Sequence, residues 1–446
     1  MRGDMSPYRC AAIVLLALTS ACQKSVPPAP AVEASIEEEV AVVEPEPELP
    51  EPPPEHVRVD NPFEGARFFV NPHYRAAALE TKAYAPPELH GAIDRVSETS
   101  TAVWLPRITA ITGDEGRPSL RDQLDEALRQ EEASQQPLTM VLVVYNLPDR
   151  DCAAGASAGE LHLEEDGLRR YREEFIDPIV ATIAEPTYRS LRLAVVLEPD
   201  SLPNLVTNLE SHEACRVAAP AYREGVAYAI AQLATVSNAY LYLDVAHSGW
   251  LGWERPPEVA ALYREVMAEA GGEALVTGFA TNVSNYTPIE ENLDPFEAVE
   301  VHKELVEGFY SWNRIIDEHR YVDALREHFP DHGFVIDTSR NGWGGRLLDV
   351  PLDGRSHRGN WCNIRDAGLG ASPRANPRDG IHAYFWIKPP GESDGAADPA
   401  LAREGKPYDE QCGARSGTDA RPDAPVAGEW FAEAFLGLLK NANPPF

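Results

Sequence analysis

The stretch Leu191-Arg192-Leu193-Ala194-Val195-Val196-Leu197, followed at once by Glu198-Pro199-Asp200-Ser201-Leu202, decides the fold. A short apolar run that does not alternate with polar residues reads as a strand buried on both faces, and such strands belong to parallel sheets covered by helices. Working outward, similar runs recur at Met140–Leu147, Tyr240–Val245, Leu275–Ala280, Gly333–Ile336 and Ala383–Ile387. Between them lie amphipathic stretches predicted as helices: Leu168–Ala184, Ala221–Thr235, Pro257–Ala270 and Trp312–His328. Strands alternating with helices predict an α/β fold with a parallel sheet. There is no internal repeat, and no GxGxxG or Walker pattern follows the first strand.

The residue types after each strand carry the functional signal. The first strand runs into Tyr145, Asn146, Asp149, Arg150 and Asp151, and the second into Glu198 and Asp200. The third gives Asp244, His247, Trp250 and Trp253, and the fourth Asn282 and Asn285. Later ones give Asp337 and Arg340, then Lys388, Glu392 and Asp394. In a β/α barrel these points converge on the face formed by the C-terminal ends of the strands. One carboxylate there could be a helix cap; a polar residue ending almost every strand points to a site. Glycoside hydrolysis suits this set, because it needs one acid to protonate the leaving oxygen and a second carboxylate to activate water or attack carbon. Trp250 and Trp253 in GWLGW, with Trp104 and Trp361 in other polar loops, offer flat faces for sugar rings. Trp312 and Trp430, in helical context, are predicted to be core.

Composition narrows the class further. Thirty-nine Lys and Arg stand against 71 Asp and Glu, a formal charge of −32. Such a field repels nucleic acid and anionic membranes but not a neutral polysaccharide. No apolar run reaches the roughly 18 residues that a spanning helix needs. Residues 1–22 read as a secretory signal, with apolar Ala11–Leu18 leading to Leu18-Thr19-Ser20-Ala21-Cys22. That ending resembles the bacterial lipoprotein signal, which implies lipidation at Cys22 and a cell-surface or outer-membrane location; plain cleavage and secretion is the alternative. Residues 23–58 hold nine Pro, nine Glu and no aromatic residue, the composition of an extended tether. Residues 59–446 then form the catalytic domain. Beyond Cys10 and Cys22 remain Cys152, Cys215, Cys362 and Cys412; in an exported chain they are expected as two disulfides, with three pairings open. Their spacing gives no zinc-cluster pattern.

At these residues the chain resembles glycoside hydrolase family 6, the inverting cellulases. The motifs are Tyr145-Asn146-Leu147-Pro148-Asp149-Arg150-Asp151-Cys152, Glu198-Pro199-Asp200-Ser201-Leu202, GWLGW at 249–253 and Lys388-Pro389-Pro390-Gly391-Glu392-Ser393-Asp394-Gly395. The resemblance runs from Asn61-Pro62-Phe63 to Asn441-Ala442-Asn443-Pro444-Pro445. It implies a distorted, TIM-like parallel β/α barrel with a cleft or tunnel across its strand ends, hydrolysing a β-1,4-glucan chain without cofactor or metal. By it Asp200 matches the general acid, Asp151 the carboxylate supporting it, and Asp394 the proposed base. Tyr145 matches a tyrosine beside the distorted sugar and Ser157 a serine that holds water. Trp104, His247, Trp250, Trp253, Asn282, Trp361, Lys388 and Glu392 are expected to contact sugar. The implied disulfides are Cys152 with Cys215 and Cys362 with Cys412. Two departures are Pro106, where a sugar-contacting Asp is common, and Asn146, where fungal members have Asp. The long stretch from Pro389 to Ala427 and Ser339-Arg340-Asn341-Gly342-Trp343-Gly344-Gly345 resemble the bacterial exoglucanase type, implying cellobiose release from the non-reducing end. A short connection between Gly345 and Gly359 leaves endo-action as the alternative. No separate carbohydrate-binding module is expected, which suits soluble or amorphous chains better than crystalline cellulose. A non-catalytic glucan-binding lipoprotein and a metal-dependent hydrolase are the readings from other classes.

Overall fold

The computed structural model describes residues 57–114, 116–344, 349–403, 405–415 and 417–446. The predicted signal with Cys22, almost all of the tether, and residues 345–348 of the connection to Gly359 lie outside the described residues.

Among the described residues, nine strands make one sheet: β1 (Arg67–Phe68), β2 (Val103–Leu105), β3 (Leu138–Val144), β4 (Arg192–Leu197), β5 (Ala239–Asp244), β6 (Gly278–Thr281), β7 (Gly333–Asp337), β8 (Arg374–Arg378) and β9 (Ile381–Phe385). Their order is β1-β3-β4-β5-β6-β7-β9-β8, with β2 also on β3, and every pairing is parallel except β8 on β9. β1 lies along the first residues of β3 and β2 along its last. The sheet curls until β2 meets the chain leaving β9: Thr101 bridges Trp386, and the Trp104 indole donates to the Ile387 carbonyl at 2.8 Å. That seam is thin, which makes the barrel a distorted one, as the resemblance implies.

Side-chain alternation explains why the runs are apolar throughout. Successive residues point to opposite faces of a strand. Val141, Val143, Ala194, Val196, Tyr240, Tyr242, Val335, Ala383 and Phe385 fill the barrel interior with Phe63. Their neighbours Met140, Leu142, Leu193, Val195, Leu241, Leu243, Phe334 and Ile336 pack outward against the helices. Full burial of each large apolar side chain contributes roughly 1.5–3 kcal/mol, which favours apolar residues on both faces. The buried polar ones, Thr139, Arg192, Asp244, Thr281 and Asp337, sit at or near strand ends.

The helical layer follows the predicted stretches with local differences. Residues 168–183 are helical, with a π turn at Tyr171–Ile176 directly before Asp177–Ile183, whose Pro178 has no N–H to give to Glu174. Pro256–Ala270 contains the third predicted helix, and Glu213–Leu233 contains the second except for Ala234 and Thr235, which form the turn that ends it. Two expectations fail. The helix expected from Trp312 begins only at Glu318, capped by Asp317, whose side chain accepts from the Arg320 N–H. Trp312 is 55% exposed in a left-handed turn rather than core; Ile315 and Ile316 had extended the apolar spacing without being helical. The fourth strand starts at Gly278, not Leu275, because Glu273–Leu275 forms a 3-10 turn. Trp430 precedes its helix (Ala432–Lys440) yet packs as expected, between Tyr74 and Phe435 with its indole donating to Thr81.

Candidate active site

The loops that leave the C-terminal ends of β3, β4, β5, β6 and β9 open onto one cavity of ≈ 520 Å³. Among its walls are Trp104, Tyr145, Asp151, Ser157, Asp200, His247, Trp250, Trp253, Trp361, Lys388, Glu392 and Asp394. One predicted sugar contact is missing from them. Asn282 is fully buried behind the wall; its amide donates to the Asp337 carbonyl at 2.9 Å and accepts from the Thr287 N–H at 3.0 Å. It braces the loop, and its neighbours Ser284 and Asn285 reach the cavity instead.

Three carboxyls crowd one wall. Tyr145 ends the run of β3 and donates to Asp151 Oδ2 at 3.3 Å, and the Ser157 hydroxyl donates to the same oxygen. Burial pushes the Asp151 carboxyl up to about 6, while Ser157, Arg150 and Tyr145 hold it from rising further. Asp200 follows β4, and its backbone N–H donates to Asp244 Oδ2 at 3.0 Å, which places a buried acid of β5 directly beneath it. Burial first, then the charges of Asp151 and Asp244, hold the Asp200 carboxyl well above the usual carboxylate range. Asp244 is itself pushed up to about 7 by burial. Its surroundings thereby bias Asp200 toward the protonated form.

Asp394 lies in the opposite electrostatic setting. Arg340 Nη1 donates to both its oxygens at 2.8 and 2.7 Å, Lys388 Nζ stands 3.8 Å away, and Tyr286 and the Asn363 N–H donate at 2.9 and 2.8 Å. Burial pushes this carboxyl up, but Arg340 and Lys388 outweigh it and bring it below its ordinary value. The next residue must be glycine: a Cβ on Gly395 would stand 2.6 Å from Cys412 Sγ and 2.7 Å from the Ala156 methyl.

The tryptophans are fixed at their polar edges. Trp250 donates to the Thr207 hydroxyl at 2.8 Å and Trp253 to the Ser311 carbonyl at 2.9 Å, while Trp253 stays 40% exposed. Trp104 meets Tyr145 edge-on at 5.5 Å. His247 Nδ1 pairs with the Thr287 hydroxyl at 3.0 Å, and burial with Arg355 and Arg358 keeps its imidazole neutral. The disulfides are Cys152–Cys215 and Cys362–Cys412, as the resemblance implies. The first ties the Asp151 loop to the helix Glu213–Leu233, and the second ties the Trp361 segment to the loop after Asp394.

Backbone conformation is unusual along this rim. Asp149, Asp151, Glu198, Asp200, Ala246, Asn282 and Ser284 all have φ between 46° and 64°. Non-glycine residues enter that region at a cost of roughly 1–2 kcal/mol each.

Sequence reasoning assigned no role to Asp244, Arg340 or Arg358. The first two stood among the polar strand ends, but their partners lie 44 and 54 positions away in the chain. Arg358 carried no signal; it is buried against Asp353 and Ser248 at the cavity wall.

The sequence model for "Glycosyl hydrolases family 6" matches residues 63–442. Exoglucanase A of Cellulomonas fimi is 42% identical over 87% of this chain, which spans only 49% of that protein's length. A 1,4-beta-D-glucan cellobiohydrolase C of Emericella nidulans is 38% identical over 86% of this chain and 79% of its own length. Among solved structures, the catalytic domain of Cellulomonas fimi Cel6B superposes with a TM-score of 0.82 at 39% identity, covering 87% of this chain and 97% of that one. Cellobiohydrolase II of Humicola insolens, in complex with glucose and cellotetraose, gives 0.75 at 34% identity over 86% of this chain and 100% of that one. A curled parallel sheet, the acids at its strand ends and a match over most of the chain agree, and the chain belongs to glycosyl hydrolases family 6.

Proposed function

We propose that this chain hydrolyses β-1,4-glucosidic bonds of cellulose or cello-oligosaccharides with inversion, releasing cellobiose from the non-reducing end. What carries it is Asp200, a carboxyl that burial and then the charges of Asp151 and Asp244 raise well above the usual range, inside a cleft whose walls present four tryptophans. The sugar leaving group needs a proton as the bond breaks, and an acid raised above its usual range supplies it at neutral pH. Inversion requires water to attack from the opposite face in a single displacement. Tyr145, Ser157 and Asp151 form a connected polar group beside Asp200, suited to orienting that water. Asp394, the acid expected as base, is paired with Arg340 and Lys388, which weakens it as a proton acceptor. It supports attack as a fixed anion reached through water.

The test is product analysis. The anomer formed from a β-linked substrate, read by NMR before mutarotation, should be α; a β product would remove the inverting assignment of Asp151, Asp200 and Asp394 together. Cellobiose alone from cellohexaose and amorphous cellulose supports exo-action, whereas a ladder with rapid viscosity loss means endo-action.

The same reading places the enzyme outside the cytoplasm. Two disulfides form and persist in oxidising compartments. Anchoring through a lipidated Cys22 fits the sequence ending at that residue. The wild type should then enter the detergent phase and Cys22→Ser should not; a wholly aqueous wild type ends the anchor.

A further inference from the structure

Hydrolysis of a neutral glucan leaves part of the cleft unexplained. Beyond Trp104 the wall is built from Arg107, Arg117, Arg150 and Lys406. Arg117 Nη2 donates to the Gly428 carbonyl at 3.1 Å, and Lys406 Nζ donates to the adjoining Ala427 carbonyl at 2.7 Å. A Cβ on Gly428 would stand 3.8 Å from both cationic groups, so the two converge on one backbone point. Asp114 lies 3.9 Å from Arg107 and offsets that one cation, whereas Glu429 pairs with Arg403 and Asp394 is held by Arg340 and Lys388. Among the described residues, neither Arg117 nor Lys406 forms an ion pair, while Arg150 donates to the Ser157, Pro106, Tyr145 and Ala158 carbonyls and its charge is shared with Asp151. Asp200 and Glu392 are the other cavity carboxylates without a cationic partner. The Lys406 ammonium is pushed down to about 7, first by burial and then by Arg150, Lys388, Arg107 and Arg117. In a chain of formal charge −32, such a concentration of cations at the rim of a sugar cleft calls for an anionic ligand.

We propose that this flank is a subsite for a carboxylate-bearing sugar, in which a cello-oligosaccharide with one glucose unit oxidised to an acid places its carboxylate between Arg117 and Lys406. The proposal rests on the cleft being a glucan cleft. A carboxylate there gains charge-assisted hydrogen bonds from groups that already face the cavity, without desolvating a new cation. Two oxidised units have this chemistry: a uronic acid, carrying the charge at C6, and an aldonic acid, carrying it at C1.

The experiment measures competitive inhibition of cellotetraose hydrolysis by three disaccharides at low ionic strength: cellobiose, cellobiuronic acid with its carboxylate on the non-reducing unit, and cellobionic acid. At least one acid should inhibit roughly tenfold more tightly than cellobiose, the size expected of a hydrogen bond to a charged group. Which acid wins identifies the oxidised unit. Added salt should erode the advantage. In Arg117→Gln/Lys406→Gln the acid should bind no better than cellobiose, while Lys406→Arg should keep the preference; glutamine retains a donor for the Ala427 and Gly428 carbonyls. Acids that inhibit no better than cellobiose in the wild type overturn the subsite, as does a preference that survives the double substitution. Failure of cellobiose itself to inhibit would instead count against the glucan cleft.

Discussion

Asp200 and Asp394 face the same cleft, and burial pushes both carboxyls toward the neutral form, yet they settle on opposite sides of the usual range. Around Asp200 the nearest charges are Asp151 and Asp244, both acids. Around Asp394 they are Arg340 and Lys388. Desolvation alone would make two acids; the neighbours decide which remains one. The pair also differs in what its charge supports. Asp394 is a structural anion that fixes Arg340, Asn363 and Tyr286 as well as a group lining the cavity. Asp200 has few obligations to the fold beyond its backbone, and its carboxyl is free for chemistry.

Breaking the acid should have the largest effect. Asp200→Asn is expected to lower cellulose hydrolysis about 10²–10⁴-fold, the range of general acid catalysis, and to spare more activity on a glucosyl fluoride, whose leaving group needs less protonation. Equal loss on both substrates would take the acid role from Asp200. On the other side, Arg340→Met strands a buried charge and should destabilise by about 3–5 kcal/mol in denaturant unfolding, whereas Arg340→Met/Asp394→Leu should recover much of that loss. A harmless single substitution would show that the pair does not hold the loop. The smallest effect sharpens the first contrast. Asp151→Asn removes one of the anions that raise Asp200, so the acid loses its proton at lower pH. The alkaline limb of the pH–rate profile should therefore move down in pH, with a smaller loss of rate than at Asp200. A limb that stays in place would leave burial as sufficient cause.

The strands and the polar residues that follow them into the cavity were legible because both leave local marks. A strand buried on two faces must be apolar without interruption, as in Leu193–Leu197, and the residue just past it must be polar if it faces a site, as Asp200 does. Sequence reasoning failed where the determinant was a distant partner. Asn282 is as polar and as well placed as Asn285, but Asp337 and Thr287 claim its amide and turn it from the cavity. Asp244 was visible as a polar strand end, while its role comes from the Asp200 N–H above it. Arg355, Asp353 and Arg358 form a buried ion group with no periodic pattern, since nothing in a loop's spacing reports that it will be enclosed. Trp312 shows the reverse error, apolar spacing continued past the point where Asp317 starts the helix.

The left-handed residues along the rim have a consequence for how this enzyme responds to selection. Asp151 and Asp200 combine an unfavourable backbone conformation with carboxyls placed where solvation is poor, so both positions tax the folded state in order to hold the acid pair in place. Glycine would accept either backbone without strain, and a neutral side chain would remove the mutual repulsion. Laboratory evolution scored on heat resistance alone would therefore drift toward chains that have discarded their chemistry. Rounds that score glucan turnover after heating would have to find their gains elsewhere, in the helical layer and the seam between Thr101 and Trp386.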